Sequence, residues 1–234
     1  MKLFWTALAV AGSLALGAAD AGTLRVSPVK VTLPADGRTE VIHLRNPDAR
    51  STLVQVQAVE WTDYTNLDKA ARADEILAIP PIFELGPNSE QVIRLAFRNP
   101  SEATTEKAYR LLITEVPEEL ENGGVAFAVR LNMPLFVTPR GAAPDPIWRF
   151  QRSQSGEAQL ILANHGNAHL MVKSLTLRGA GDDKTLFETD QFAYALAGTE
   201  QRWSLGYGQR SLPKSLEVYA ETHLGPQQAS VVTP

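Results

Sequence analysis

Between Val125 and Val137 the chain reads Val-Ala-Phe-Ala-Val-Arg-Leu-Asn-Met-Pro-Leu-Phe-Val, with an apolar residue at every second position. The intervening residues, from Ala126 to Pro134, are small, polar or proline. Side chains on an extended chain alternate faces, so this is the pattern of a β-strand and not of a helix. The run is far longer than the usual strand of about five or six residues. Pro134 cannot donate to a ladder, which assigns its part of the strand to an edge or a bulge. A long apolar strand near an edge is an aggregation hazard unless something covers it. Two readings stay open from pattern alone: the whole row is the core of a sandwich, or part of it pairs with another chain by strand addition.

The same grammar runs through the rest of the chain. Leu24 to Leu33 is rich in β-branched residues and carries Pro28, which suits an edge or a strand switch. Pro34-Ala35-Asp36-Gly37 is a turn, and Thr39–Leu44, Leu53–Trp61 and Gln91–Phe97 alternate as strands. Thr62 to Ala78 is polar and is compatible with a helical turn or with a loop. Ile79-Pro80-Pro81-Ile82-Phe83-Glu84-Leu85 is held extended by its prolines and can accommodate a cis bond. Ala108 to Val116 and the long strand from Val125 form a hairpin across the acidic loop Glu118–Gly124. Pro139 to Pro146 has the composition of a linker. Beyond it, Gln159–Asn164 ends in Asn164-His165-Gly166-Asn167, much as the earlier strand ends in Arg45-Asn46-Pro47, and Leu170–Leu177, Gln201–Leu205 and Leu216–Tyr219 are further strands. No long segment has helical periodicity, so the class is all-β, with two immunoglobulin-like β-sandwich domains.

At the amino end, Lys2 precedes the apolar run Leu3–Ala11 and the small residues ending in Ala19-Asp20-Ala21, the plan of an export signal with an A-x-A cleavage site. The expected organisation is a signal peptide over 1–21, a first domain over 22–140 and a second over 145–234. Removing the signal takes away one base and one acid and leaves 21 basic and 25 acidic residues, a net charge of 21 − 25 = −4. That balance does not suit a nucleic-acid binder. With no cysteine in an exported chain, stability must come from packed cores and not from disulfides.

Taken together, Ser27-Pro28-Val29-Lys30-Val31, Ile79-Pro80-Pro81-Ile82-Phe83-Glu84-Leu85, Gln91-Val92-Ile93-Arg94-Leu95, Glu106-Lys107-Ala108-Tyr109-Arg110-Leu111 with Val116-Pro117, and Met133-Pro134-Leu135-Phe136-Val137-Thr138-Pro139 resemble, in order and spacing, the periplasmic pilus chaperones of the chaperone-usher pathway. The resemblance covers nearly the whole mature chain and points to the branch that assembles archaic or spore-coat-like fimbriae. It implies an L-shaped pair of immunoglobulin-like domains in the periplasm, with no catalysis and no cofactor. It also implies partners of two kinds, pilin or fimbrial subunits and an outer-membrane usher, and a free chaperone able to cap itself as a homo-oligomer. By position, Val125, Phe127, Val129 and Leu131 would be the side chains lent to an incomplete pilin by donor-strand complementation. Family members grip the pilin's terminal carboxylate with two basic residues. The first aligns with Lys30, which keeps the charge but loses the bidentate fork; the second aligns with Pro134.

Arg110 sits inside an apolar strand, where a lone buried charge is costly. It is either a paired structural arginine or the replacement carboxylate anchor. Arg94, in a similar setting, is expected to be structural. His165 and His169 are four apart on a Gly-Asn turn and not on a helix, so helical metal-ligand spacing does not apply and no metal site is expected. Asp182-Asp183 and Glu118-Glu119 read as solvated loop charges. There is no nucleophile elbow, zinc-protease motif or phosphate loop. The alternatives to a chaperone are an exported fimbrial subunit or adhesin, and a carbohydrate-active β-sandwich enzyme.

Overall fold

The computed structural model of the chain describes residues 24–61, 69–98, 100, 104–117, 128–181, 184–206 and 212–233. The export segment, Val125, Phe127 and the acidic pairs Glu118-Glu119 and Asp182-Asp183 lie outside those residues. In the first half the strands are β1 (Arg25–Ser27), β2 (Val31–Pro34), β3 (Glu40–Arg45), β4 (Thr52–Glu60), β5 (Ile76–Ile79), β6 (Ile82–Leu85), β7 (Glu90–Phe97), β8 (Lys107–Val116) and β9 (Arg130–Thr138). They form two sheets, in the order β1-β3-β7-β5 and β2-β9-β8-β4-β6. Ile42, Leu44, Ile93 and Leu95 from the first sheet meet Leu33, Val54, Leu111 and Leu135 from the second, and all eight are essentially sealed from solvent.

The second half repeats this plan. Its strands are β10 (Pro146–Arg152), β11 (Ala158–Asn164), β12 (Leu170–Gly179), β13 (Thr185–Thr189), β14 (Ala193–Ala195), β15 (Glu200–Ser204), β16 (Ser215–Thr222) and β17 (Gly225–Val232). The sheets are β10-β11-β15 and β13-β12-β16-β17, with β14 also on β12, around a separate core that includes Leu160, Leu162, Leu177, Trp203 and Leu216. The fold is all-β, as the alternation predicts. The alternation does not mark four strands of the second half, β10, β13, β14 and β17, and the strand Ile76–Ile79 begins inside the Thr62–Ala78 segment, where the sequence is compatible with a helical turn or a loop. The linker composition over Pro139–Pro146 also runs one residue into β10.

The two prolines singled out in the sequence stand where the chain changes sheet. The Ser27–Pro28 peptide lies between β1 and β2, and Ile79–Pro80 between β5 and β6; both are cis. The paired Asn endings are one device used twice. Asn46 Nδ2 donates to the carbonyls of Arg50, Leu85 and Gly86 at 2.7, 3.2 and 3.1 Å, and its Oδ1 accepts from Asp48 N at 2.9 Å. Asn164 Nδ2 donates to Ala168, Ala195 and Leu196, and its Oδ1 accepts from the amides of Asp145 and Gly166. A buried amide with both ends satisfied ties a turn to a neighbouring strand, at a net gain of about 1 kcal/mol per bond and a larger loss if its partners are orphaned.

Gly166 is required beside it, because a Cβ there would lie 2.3 Å from the Ala143 carbonyl and 2.4 Å from the Asp145 nitrogen. Asn164→Ala should therefore lower the stability of the second half by about 2–4 kcal/mol, and Gly166→Ala should lower it through steric displacement of the 143–145 backbone. Urea unfolding followed by the fluorescence of Trp148 and Trp203 measures both.

Candidate functional site

Strand β9 has a different neighbour on each side. On one side it pairs antiparallel with β8, from Arg130↔Thr114 to Val137↔Lys107. On the other side β2 pairs with it in parallel, but only from Leu135 to Thr138. N-terminal to Leu135, no strand among the described residues occupies that side. In an antiparallel ladder, alternate residues exchange both bonds with the partner, and the residues between them point their peptide groups away. The Glu115 amide donates to the Val129 carbonyl at 2.9 Å, so the odd residues of β9 bond to β8. Thr138 O accepts from Ala35 N on the far side, which fixes the even residues as facing β2. The peptide of Asn132 therefore faces the open edge. So does Pro134, whose missing N–H costs the β8 ladder nothing.

Side chains of the odd residues form the core row. Met133, Leu135 and Val137 are buried, Leu131 is partly buried against the same core, and Val129 is half-buried. One apolar row thus begins inside the domain's own core and runs out of it along the open edge. The outer face carries the even residues. Arg110 lies opposite Pro134, Val59 lies opposite Arg110, and Lys30 directly precedes Val31, the partner of Leu135. Lys30, Pro134, Arg110 and Val59 thus make one transverse row. The two basic residues named from sequence are two strands apart, roughly 10 Å, with the proline between them. Arg110 is buried, and its guanidinium sits 3.4 Å from the centroid of the Trp61 ring, a cation–π contact that offsets part of the cost of burial. Arg94 is exposed on β7 and takes no part.

The next transverse row carries Phe136, and here the second half of the chain closes over the sheet. Phe136 stacks on the His169 ring at 3.7 Å and 6°, and His169 stacks in turn on His223 at 4.9 Å and 8°. Trp61 and Tyr194 flank the stack, 5.1 Å apart. Beneath it lies the Glu106 carboxylate. Oε1 accepts from the His169 amide at 2.8 Å and bonds His169 Nδ1 at 2.7 Å, and Oε2 accepts from the Thr138 hydroxyl at 2.7 Å. Asn167 Nδ2 donates to Thr104 O at 2.6 Å, and the Glu106 amide to Asn167 O at 2.9 Å. His169, read from sequence as a turn residue, is thus a buried junction residue committed to a carboxylate 63 positions earlier in the chain.

Sequence reasoning gave no role to Glu106, Trp61, Phe136 or His223. Two of these carried a faint signal: Glu106 opens the Glu-Lys-Ala-Tyr-Arg-Leu block, and Phe136 is the apolar residue that breaks the alternation after Pro134. Val125 and Phe127 lie outside the described residues, so their surroundings are not part of this geometry.

Burial on its own would raise the pKa of Glu106. The hydrogen bonds from His169 and Thr138, with the charge of His169, outweigh it and hold the carboxyl below its ordinary 4.5. A carboxyl with a depressed folded-state pKa stabilises above its unfolded value and loses that contribution as pH falls through the folded one. The junction should therefore be at full strength above about pH 5 and weaken progressively below 4.5. Glu106→Gln should be less stable than the wild type at pH 7 and should converge with it near pH 3, as read by urea midpoints across that range.

The family model of the pili and flagellar-assembly chaperones, PapD N-terminal domain, matches residues 23–143. No curated protein matches the chain by sequence. Among solved structures, the CsuC–CsuE chaperone–tip adhesion subunit pre-assembly complex of archaic Csu pili from Acinetobacter baumannii is similar at 19% identity and a TM-score of 0.65, covering 89% of this chain and 98% of that one. The Salmonella enterica SafA pilin complex with the SafB chaperone follows at 18% and 0.62, covering 90% and 96%. The E. coli chaperone DraB is similar at 16% and 0.61, covering 91% and 99%. At these identities the structural likeness is one of fold, two immunoglobulin-like β-sandwich domains.

Proposed function

The chain belongs to the family of pili and flagellar-assembly chaperones, and from that premise we propose that it is a non-catalytic periplasmic chaperone that captures fimbrial subunits by donor-strand complementation and hands them to an outer-membrane usher. The observation that carries this reading is the open side of β9, where an apolar row leaves its own core beside a sheet edge that no strand among the described residues pairs. An incomplete subunit fold offers the complement: a groove that takes alternate side chains and a strand edge that takes main-chain hydrogen bonds. Val125, Phe127 and Val129 are the side chains lent, and Leu131 spans the boundary between the lent row and the core. Lys30 and Arg110, on either side of Pro134, hold the subunit's terminal carboxylate. A charge-assisted bond of that kind contributes roughly 1.5–3 kcal/mol.

Arg110 also packs on Trp61, so its replacement by alanine mixes binding with stability. Lys30, half-exposed at the start of β2, is the cleaner test. Co-purification with the subunit that leaves the native periplasm bound to this protein measures capture. Phe127→Asp places a charge in an apolar groove and should reduce capture at least a hundredfold, the effect of about 3 kcal/mol. Lys30→Ala should reduce it about tenfold, and a subunit lacking its last residues should be indifferent to that change. Undiminished capture by both variants would overturn the reading.

Without a subunit the open edge invites self-pairing. The isolated protein should therefore associate with itself at high concentration through β9, and the association should vanish when a subunit is bound. Sedimentation over a concentration series measures it.

A further inference from the structure

We propose that His223 is a third gripping residue of this cleft, an uncharged imidazole whose Nε2–H donates to the same carboxylate that Lys30 attracts. The inference rests on the subunit-capture reading above and adds a residue from the second half of the chain to it. Its first support is the fixed tautomer. The Met171 amide donates to His223 Nδ1 at 3.1 Å. A backbone amide can only donate, so Nδ1 carries the lone pair and the ring proton sits on Nε2.

Orientation is fixed as well. The His223 amide donates to Met171 O at 3.0 Å, and the ring lies parallel to His169, which lies parallel to Phe136. Nε2 makes no hydrogen bond to any described residue, and it is not among the polar atoms sealed from solvent. A positioned N–H donor is thus left for something that arrives from outside.

The charged and titratable groups facing the ring are His169, Lys30 and Glu106. Burial, then His169 and Lys30, depress the basicity of His223, and together they outweigh the Met171 backbone contact and the Glu106 charge, which raise it, so the ring is neutral at neutral pH. That neutrality suits the site. Pro134 has no N–H to offer, and Lys30 and Arg110 already bring two full charges to it, so a neutral donor adds a further bond to the carboxylate without adding to their mutual repulsion. Val29, next to Lys30, and Leu224, next to His223, are 69% and 63% exposed. The anion expected here is therefore the terminus of an apolar chain and not a small free ion.

The test uses the mature protein and a defined probe, an acetylated octapeptide of alternating valine and threonine with a free terminal carboxylate, compared with its C-terminal amide. The wild type should prefer the acid by about a hundredfold or more, since Lys30, Arg110 and His223 all hold it. His223→Ala should lower that preference about tenfold without weakening the amide, and His223→Gln, which keeps a side-chain N–H, should restore most of the loss. The preference should be constant from pH 6.5 to 8 with no proton taken up on binding. If the preference is undiminished in His223→Ala, or if it falls tenfold across that pH range with proton uptake, the role assigned to His223 is wrong while the capture reading stands. If neither peptide binds the wild type, both fall. Should His223→Ala fail to fold, the wild type decides: the ¹⁵N resonance of His223 Nε2 must move with the acid and not with the amide, and an unmoved resonance overturns the proposal.

Discussion

The Glu106 carboxylate, with three donors converging on it, is the contact on which the geometry of the candidate site depends. It stands at the foot of β8, takes the Thr138 hydroxyl from the end of β9, and takes both the amide and the ring nitrogen of His169 at the threshold of β12. One anion therefore joins the two strands of the long hairpin to the second sandwich. An ionised carboxylate this deeply buried would be ruinous alone; charge-assisted bonds worth roughly 1.5–3 kcal/mol each turn it into a fastener. Fixing His169 fixes the Phe136–His169–His223 stack. The stack in turn decides which side chains of the second sandwich overhang the outer face of β9, beside Lys30 and Arg110.

Pro134 shows how local chemistry and function meet in one strand. An interior strand normally rejects proline, yet here the ring occupies a position whose N–H would point away from β8, at the last residue before β2 joins the sheet. The residue is cheap where it stands, and it marks the place where β9 passes from a strand paired on both sides to one paired on a single side. The core row runs through this point, from Val137 to Met133 and in part to Leu131, while the pairing on the side away from β8 stops at it among the described residues.

Much of the first sandwich was legible because its strands obey period two and its turns use Pro, Asn and Gly: the β8–β9 hairpin, the strand switch at Pro28, the extended path with a cis bond at Pro80 and the repeated Asn ending could all be read from residue order. The second sandwich was less legible for physical reasons. In β10 and β17, half-buried and exposed positions alternate, but glutamine, proline and arginine fill many of them, while β14 has only three residues. The junction was illegible for another reason. Glu106 and His169 lie 63 residues apart, and the Arg110–Trp61 contact likewise joins residues distant in sequence. Sequence could say that Arg110 needs a reason to be buried. Only the fold could say that an indole face supplies part of it.

The central claim is that the side of β9 away from β8 is held open for a strand from another protein, and amide hydrogen exchange at Asn132 tests it most directly. Leu131 and Met133 point their amides at β8 and should be protected whether or not a subunit is present. Asn132 points the other way. It should exchange quickly in the free monomer and become protected by at least two orders of magnitude once a subunit is captured, as a buried ladder amide would be. Protection of Asn132 in the free monomer, or no change on capture, would contradict the account.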